Sequence, residues 1–500
     1  MTRDWAKTAA AILGGLALAF SGLSADAAPP SVTPPSVTPV AGTPSLGLGL
    51  YDLKALGYVV EEYFVSGTAS AYALVGEPTT DGRWQVTPAA SAPYVTRIVV
   101  VRPVDPKKFN GTVAVEWLNV SAGVDSPPDW SFTHRELLRG GYAYVGVSAQ
   151  RVGIEGGPSM QTGMPPLKKS NPARYGTLSH PGDAFAFDIF SQAGEVVKQG
   201  KVLGPLAPKR VLALGESQSA IFLTTYVNAI DPVAKVYDGF LVHSRFGSAP
   251  LPQAGSMMDR ATPRAPNGIR LRPDLRVPVI TLISETDLIG GNLGGFYGAR
   301  QPDNAKLRIW EMPGTAHADS YVFTVSAGDN GAQSIQTLAA GWRPISNLLG
   351  MKLAKPINAA PQHHYIAMSA LAHLDAWVRT GQAPPRAGRM TALPPAGPGQ
   401  PPTLAYDDNG ITRGGIRTPW VDVPVAKTSG FGNSGGAFGG LVGSTEAFDA
   451  ATLARLYPGG KAEYLRRFDA ALARSIKAGF ILPADQVEIR ALAEASYPAG

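Results

Sequence analysis

A serine hydroxyl is a weak nucleophile until a base takes its proton, so a serine, a histidine and a carboxylate that one sheet can bring together deserve weight. Ser217 lies in Val211-Leu212-Ala213-Leu214-Gly215-Glu216-Ser217-Gln218-Ser219-Ala220, a short apolar strand, a small-residue turn and a largely apolar helix. Small residues at 215 and 219 let strand and helix approach. The tight turn forces its apical residue into a strained backbone that exposes the Oγ. This is the pattern of a nucleophile elbow, with Ser219 in place of the usual second glycine. A serine that merely caps the helix is the plainer alternative, but capping does not ask for small residues on both sides. His317 follows the strand Leu307 to Met312, and Asp287 follows the strand Val277 to Ile283. The chain order Ser217, Asp287, His317 suits acyl transfer through a covalent intermediate, with Glu285 as the competing carboxylate.

The oxygen that turns negative during such a reaction needs donors. The Gln218 amide, at the start of the helix, is one candidate. The backbone around Asn119 and Val120, in the loop after the strand Thr112 to Leu118, is expected to supply the second. His243 after its strand, Trp130 and Tyr321 are candidates to line a substrate pocket, with core packing as the alternative for Trp130. His134 and His373 read as satisfied or solvated helix residues and His180 as a helix-entry residue, while the adjacent His363 and His364 face different sides of a helix. No metal-ligand spacing such as His-Glu-x-x-His occurs, so neither a catalytic metal nor a cofactor is expected. Gly432-Asn433-Ser434-Gly435-Gly436 also fits G-x-S-x-G, and His317, Asp375 and Ser434 even follow a protease-like order. The expected alternation of strands and helices rejects it, because that protease class needs two antiparallel barrels.

The elements that would hold these residues alternate. Tyr58 to Gly67, Tyr94 to Val101, Thr112 to Leu118 and Tyr142 to Val147 read as strands, with a helix at Trp130 to Arg139 stopped by Gly140-Gly141. Further helices are expected at Phe185 to Val197, Ala220 to Ile230 and Tyr365 to Arg379, and strands at Val211 to Leu214 and Tyr237 to Val242. The pattern predicts an α/β fold with a mostly parallel sheet flanked by helices. Two long connections, 244–276 and 318–362, read as lids. Residues 386–500 read as a C-terminal extension packed on the core, with helices at Lys461 to Lys477 and Asp485 to Ala495.

Arg3 and Lys7 precede an uncharged run from Ala9 to Leu23 and then Ala25-Asp26-Ala27, which predicts a signal peptide over 1–27 and a periplasmic or secreted protein. The run is too short for a permanent membrane span, so no stable membrane insertion is expected after cleavage. The proline-rich 28–47 reads as an extended tether ahead of a domain over 48–500. Of the 500 residues 44% are hydrophobic and 16% charged, which suits a large globular core rather than disorder. The net charge of +6 comes without Lys/Arg runs longer than pairs, so no nucleic-acid partner is implied. The absence of cysteine excludes thiolate metal sites, cysteine nucleophiles and disulfides.

Beyond the elbow, several segments resemble bacterial exported α/β-hydrolase domain-containing proteins: Gly57 to Thr68, Glu116 to Val120, Gly141 to Gln150, Arg174-Tyr175-Gly176, Glu285 to Leu288, Gly314 to Asp319, and Gly414 to Trp420. The resemblance implies an α/β-hydrolase fold and an esterase-like activity with Ser217, Asp287 and His317 as triad. A small-molecule or polymer-derived ester is the expected substrate. Peptidase or acyltransferase activity on the same fold, and a non-catalytic binding protein, are the alternatives.

Overall fold

The structure is a computed structural model that describes residues 34–498 apart from 162, 257–261, 263–264, 291–293 and 436–437. The expected signal peptide and residues 28–33 of the expected tether lie outside the described residues. Nine strands form one sheet: β1 (Ser36–Val40), β2 (Tyr58–Leu74), β3 (Val86–Pro103), β4 (Thr112–Trp117), β5 (Ala143–Val147), β6 (Arg210–Glu216), β7 (Gly239–His243), β8 (Val279–Ser284) and β9 (Leu307–Met312). Their spatial order is β1-β2-β3-β5-β4-β6-β7-β8-β9. β5, β4, β6, β7, β8 and β9 pair in parallel, whereas β1, β2 and β3 pair antiparallel at one edge. Part of the proline-rich 28–47 is not a free tether, because Ser36–Val40 pairs along β2 from Ser66 to Glu62. Proline lacks an N–H, and an edge strand is where a sheet tolerates it.

Helices cover both faces. α1 (Pro128–Arg139), α2 (Ala186–Lys198), α3 (Gln218–Thr225), the short α4 (Glu285–Ile289), α5 (Gln362–Thr380), α6 (Gly460–Lys477) and α7 (Gln486–Ser496) are the ones used below. Successive residues of a strand point to opposite faces. Val113, Val115 and Trp117 of β4 accordingly join Phe187 and Phe190 of α2 and Phe222 of α3 in one core. Ala114 joins Leu212, Leu241 and Ile280, under Phe132 and Leu137 of α1 and Leu371 of α5, in the other. This second core also takes in Phe468, Leu472 and Leu492, so the C-terminal helices close over the same face. Gly140-Gly141 ends α1 as expected. Gly141 has a φ of 71°, and a Cβ there would lie 2.1 Å from the Lys108 carbonyl oxygen, so only glycine fits.

Of the two expected lids, 318–362 carries a π-turn (Tyr321–Val325), a helix (Ile335–Gly341) and a two-stranded hairpin (Asn347–Leu348 with Met351–Lys352). The described part of 244–276 packs down instead: Arg245 and Phe246 are buried, and Arg245 donates to the carbonyls of Phe246 and Ile269. Among the described residues no helix is long and apolar enough to cross a membrane.

Candidate active site

Parallel strands all end at the same side of the sheet, so the loops after β4, β6, β8 and β9 gather there. Ser217 sits between β6 and α3 with φ 60° and ψ −120°, a conformation that costs a non-glycine residue about 1–3 kcal/mol and is kept by its surroundings. Its N–H donates to the His243 carbonyl at 2.9 Å. A Cβ on Gly215 would come within 2.8 Å of the Leu223 side chain, which accounts for glycine at that position.

Ser217 Oγ lies 2.7 Å from His317 Nε2, and His317 Nδ1 lies 2.6 Å from Asp287 Oδ1. The three residues that the sequence singles out are therefore one hydrogen-bonded series. Asp287 is fully buried in the first turn of α4, where its Oδ2 accepts the Ser284 N–H at 2.8 Å and its own N–H donates to Ser284 Oγ. Burial alone would raise its carboxyl, but the pairing with His317 and the bonds to Ser284 outweigh it and hold it below the ordinary value. Glu285, the competing carboxylate, turns elsewhere: it accepts the N–H groups of Gly314 at 2.6 Å and Gly430 at 2.8 Å.

Gln218 N–H opens α3, where the first amides of a helix have no acceptor within it. The second expected oxyanion donor needs correction. The Asn119 N–H is taken up by the Ser126 carbonyl at 2.9 Å, because residues 119 and 126 close their loop as a β-bridge. The Val120 N–H reaches Gln218 Oε1 at 3.4 Å, a long contact that leaves it beside the elbow. Asn119 lines the cleft and ties the elbow down by donating from Nδ2 to the Glu216 carbonyl at 3.2 Å.

A cleft of about 230 Å³ opens on Ser217 and His317. Its polar side holds Asn119, Ser121, Gln161 and Glu216, and its apolar side Phe132, Val322, Phe323, Leu349, Phe438 and Leu441. None of the three residues expected to line it does so. Trp130 is buried in the core with its Nε1–H on the Leu48 carbonyl, Tyr321 is buried with its hydroxyl on Asp329, and the ring of His243 is buried between Asp129 and His363. Trp130 and Tyr321 sit on elements that do reach the cleft, where α1 presents Phe132 and the π-turn presents Val322 and Phe323, whereas β7, which ends in His243, contributes no lining residue. The described part of 244–276 contributes no lining residue, although Phe246 packs 5.2 Å from the His317 ring. Phe438 and Leu441 were not anticipated. They come from the loop of the hairpin Ala426–Ser429 with Ser444–Ala447, the same loop that carries the exposed Ser434.

Glu216 is a further residue with no signal in the sequence beyond its place before Ser217. Its Oε1 lies 3.5 Å from His317 Nε2, and burial, followed by the nearby Asp129, Asp287 and Glu116, pushes its carboxyl well up.

Among solved structures the chain is similar to a serine hydrolase without a lid from Xanthomonas campestris, at 14% identity over 50% of this chain and 86% of that one, with a TM-score of 0.27. It is also similar to a thermostable esterase from Pseudomonas putida, at 13% identity over 47% of this chain and 66% of that one, with a TM-score of 0.24. No curated protein matches the chain. Residues 28–491 match the family described as the alpha/beta hydrolase domain, and the chain belongs to that family.

Proposed function

We propose that the protein is a serine hydrolase that cleaves carboxylic esters through an acyl-enzyme. The observation that carries this reading is the series Ser217 Oγ, His317 Nε2, His317 Nδ1 and Asp287 Oδ1, joined at 2.7 and 2.6 Å. Ser217 attacks the ester carbonyl while His317 takes its proton, and Asp287 holds the imidazole in the tautomer that leaves Nε2 free to accept. The Gln218 amide is a donor for the developing oxyanion, and the Val120 amide becomes the second when it gives up its long contact with Gln218 Oε1. His317 then protonates the departing alcohol, and water returns along the same path to release the acid. The apolar wall and a volume of about 230 Å³ suit a small-molecule or polymer-derived ester that presents a compact apolar group to Ser217.

Hydrolysis of a p-nitrophenyl ester series by the wild type and by Ser217→Ala tests this. The expected result is turnover that the substitution lowers by about 10⁵–10⁶-fold without loss of fold. Equal turnover by both proteins would overturn it. We also propose export with cleavage after Ala27, on the pattern from Arg3 to Ala27. The mass of the protein recovered outside the cytoplasm should begin at Ala28, and a cytoplasmic chain that retains Met1 would contradict it.

A further inference from the structure

Behind the triad lies a run of titratable side chains that the proposed reaction does not use. His243 ends β7 and accepts the Ser217 N–H with its carbonyl, while its ring turns inward. Its Nδ1 is 2.8 Å from Asp129 Oδ1 of α1, and its Nε2 is 2.8 Å from His363 Nε2 of α5. His363 Nδ1 in turn faces Asp319 Oδ2 at 3.7 Å, and the Ala316 carbonyl also bears on the His363 ring. Asp319 stands two residues after His317, and its Oδ1 accepts the Tyr321 N–H at 2.9 Å. All four side chains are buried. The run therefore starts beside the strand end that holds the nucleophile and finishes on the loop that carries the base.

Counting protons shows what such a run can hold. Two nitrogens 2.8 Å apart leave no room for an ion between them, so one ring donates and the other accepts. With both imidazoles neutral, each has one N–H and one lone pair. If Asp319 carries a proton, its O–H serves His363 Nδ1, His363 Nε2–H serves His243 Nε2, and His243 Nδ1–H serves the Asp129 carboxylate. If Asp129 carries it instead, every donor reverses. Three protons and one negative charge are present in both arrangements. Burial favours this count, since it lowers His243 to about 3 and His363 well below the ordinary value, and raises Asp319 to about 7 and Asp129 upward. No positive charge offsets the carboxyls: burial alone raises Asp129, which in turn pushes up Glu116 and Glu216, while Asp287 and His317 act with opposite sign on the two rings. Among the described residues no lysine or arginine nitrogen lies within 4 Å of Glu116, Asp129, Glu216, Asp287 or Asp319, and the last four pair with histidines.

We propose that Asp129, His243, His363 and Asp319 form a buried bridge that shares one carboxyl proton and holds the Ser217 elbow in register with the His317 loop. These are positioning residues, and the role rests on the serine hydrolase reading. The 3.7 Å gap between His363 and Asp319 is the one open link, and its closure to ~3.0 Å requires a shift of under an ångström. Misplacement on that scale costs an enzyme on the order of 10²-fold in rate.

The test uses the mature full-length protein, its His363→Leu variant, which breaks the bridge, and His363→Gln, which restores one donor and one acceptor. Downfield proton NMR with ¹⁵N-labelled histidine should show an exchange-protected imidazole N–H from the bridge that His363→Leu loses while the His317 resonance persists. With p-nitrophenyl acetate, His363→Leu should lower kcat by about 10–100-fold with KM within about threefold, and His363→Gln should recover a substantial part. A wild-type kcat in His363→Leu, a change confined to KM, or no recovery in His363→Gln would reduce the bridge to packing. If His363→Leu does not fold, Asp129→Asn takes its place with the same expected split. A wild type that turns over no ester overturns the hydrolase reading and with it the positioning role, whereas a missing bridge resonance in an active wild type overturns the bridge alone.

Discussion

Asp287 Oδ1 lies 2.6 Å from His317 Nδ1, in a fully buried pocket where the Ser284 N–H holds the other carboxylate oxygen. The acid is thereby fixed at both oxygens and aims one of them at the imidazole. Asp287→Asn keeps the shape and presents the wrong partner to the ring. Its kcat should fall by about 10³–10⁴-fold with a melting temperature close to that of the wild type. Steady-state kinetics and thermal melts check both, and a kcat within tenfold of the wild type would return the role of acid to another carboxylate.

Glu285 does different work two residues away. Its carboxyl joins the Gly314 amide, ahead of His317, to the Gly430 amide of the C-terminal segment. Glu285→Ala leaves two amides without their buried acceptor and should destabilise the fold by about 2–4 kcal/mol. Denaturant unfolding measures this, and unchanged stability would refute the anchoring role.

Ser219 occupies the elbow position where a second glycine is usual, and its Oγ is buried with no hydrogen-bond partner. Ser219→Ala removes that unsatisfied hydroxyl and keeps the side chain small. A gain of about 1 kcal/mol is expected in denaturant unfolding. A loss of similar size would mean that the hydroxyl is satisfied.

Asp319 ties pH to stability. Burial raises its carboxyl from the ordinary 3.8 to about 7, so the folded chain holds the proton more tightly than the unfolded one. Its contribution to stability is therefore greatest below about pH 4, declines as pH rises to about 7 and is flat beyond. Asparagine cannot ionise, so the melting temperature of Asp319→Asn relative to the wild type should increase between pH 4 and pH 7. Parallel melts at pH 5 and pH 8 check the sign, and a constant difference would contradict it.

The strands and helices that place the triad were legible because their signals are local. The apolar run before Ser217 and the glycine pair after α1 each dictate an element boundary from adjacent residues. The choice between Asp287 and Glu285 was only half legible, since it depends on which side of α4 meets His317. Trp130 and Tyr321 are misplaced for a related reason, since the sequence brings a residue near the cleft but does not say which face of its element turns inward, and the strand of His243 does not reach the cleft at all. Asn119 shows the same limit at the backbone level, because the pairing of its amide with Ser126 is a loop closure that no periodicity encodes. The cleft wall at Phe438 and Leu441, and the link from Asp129 through His243 and His363 to Asp319, join residues far apart in the chain. Single-residue patterns are silent about such contacts.

The proposed reaction depends on Ser217 being an activated nucleophile. Intact-mass labelling of the purified protein with a fluorophosphonate, followed by peptide mapping of the wild type, Ser217→Ala and Ser434→Ala, tests it. One adduct per chain is expected, on Ser217, absent only from Ser217→Ala. An adduct on Ser434, or none on any protein, would contradict it.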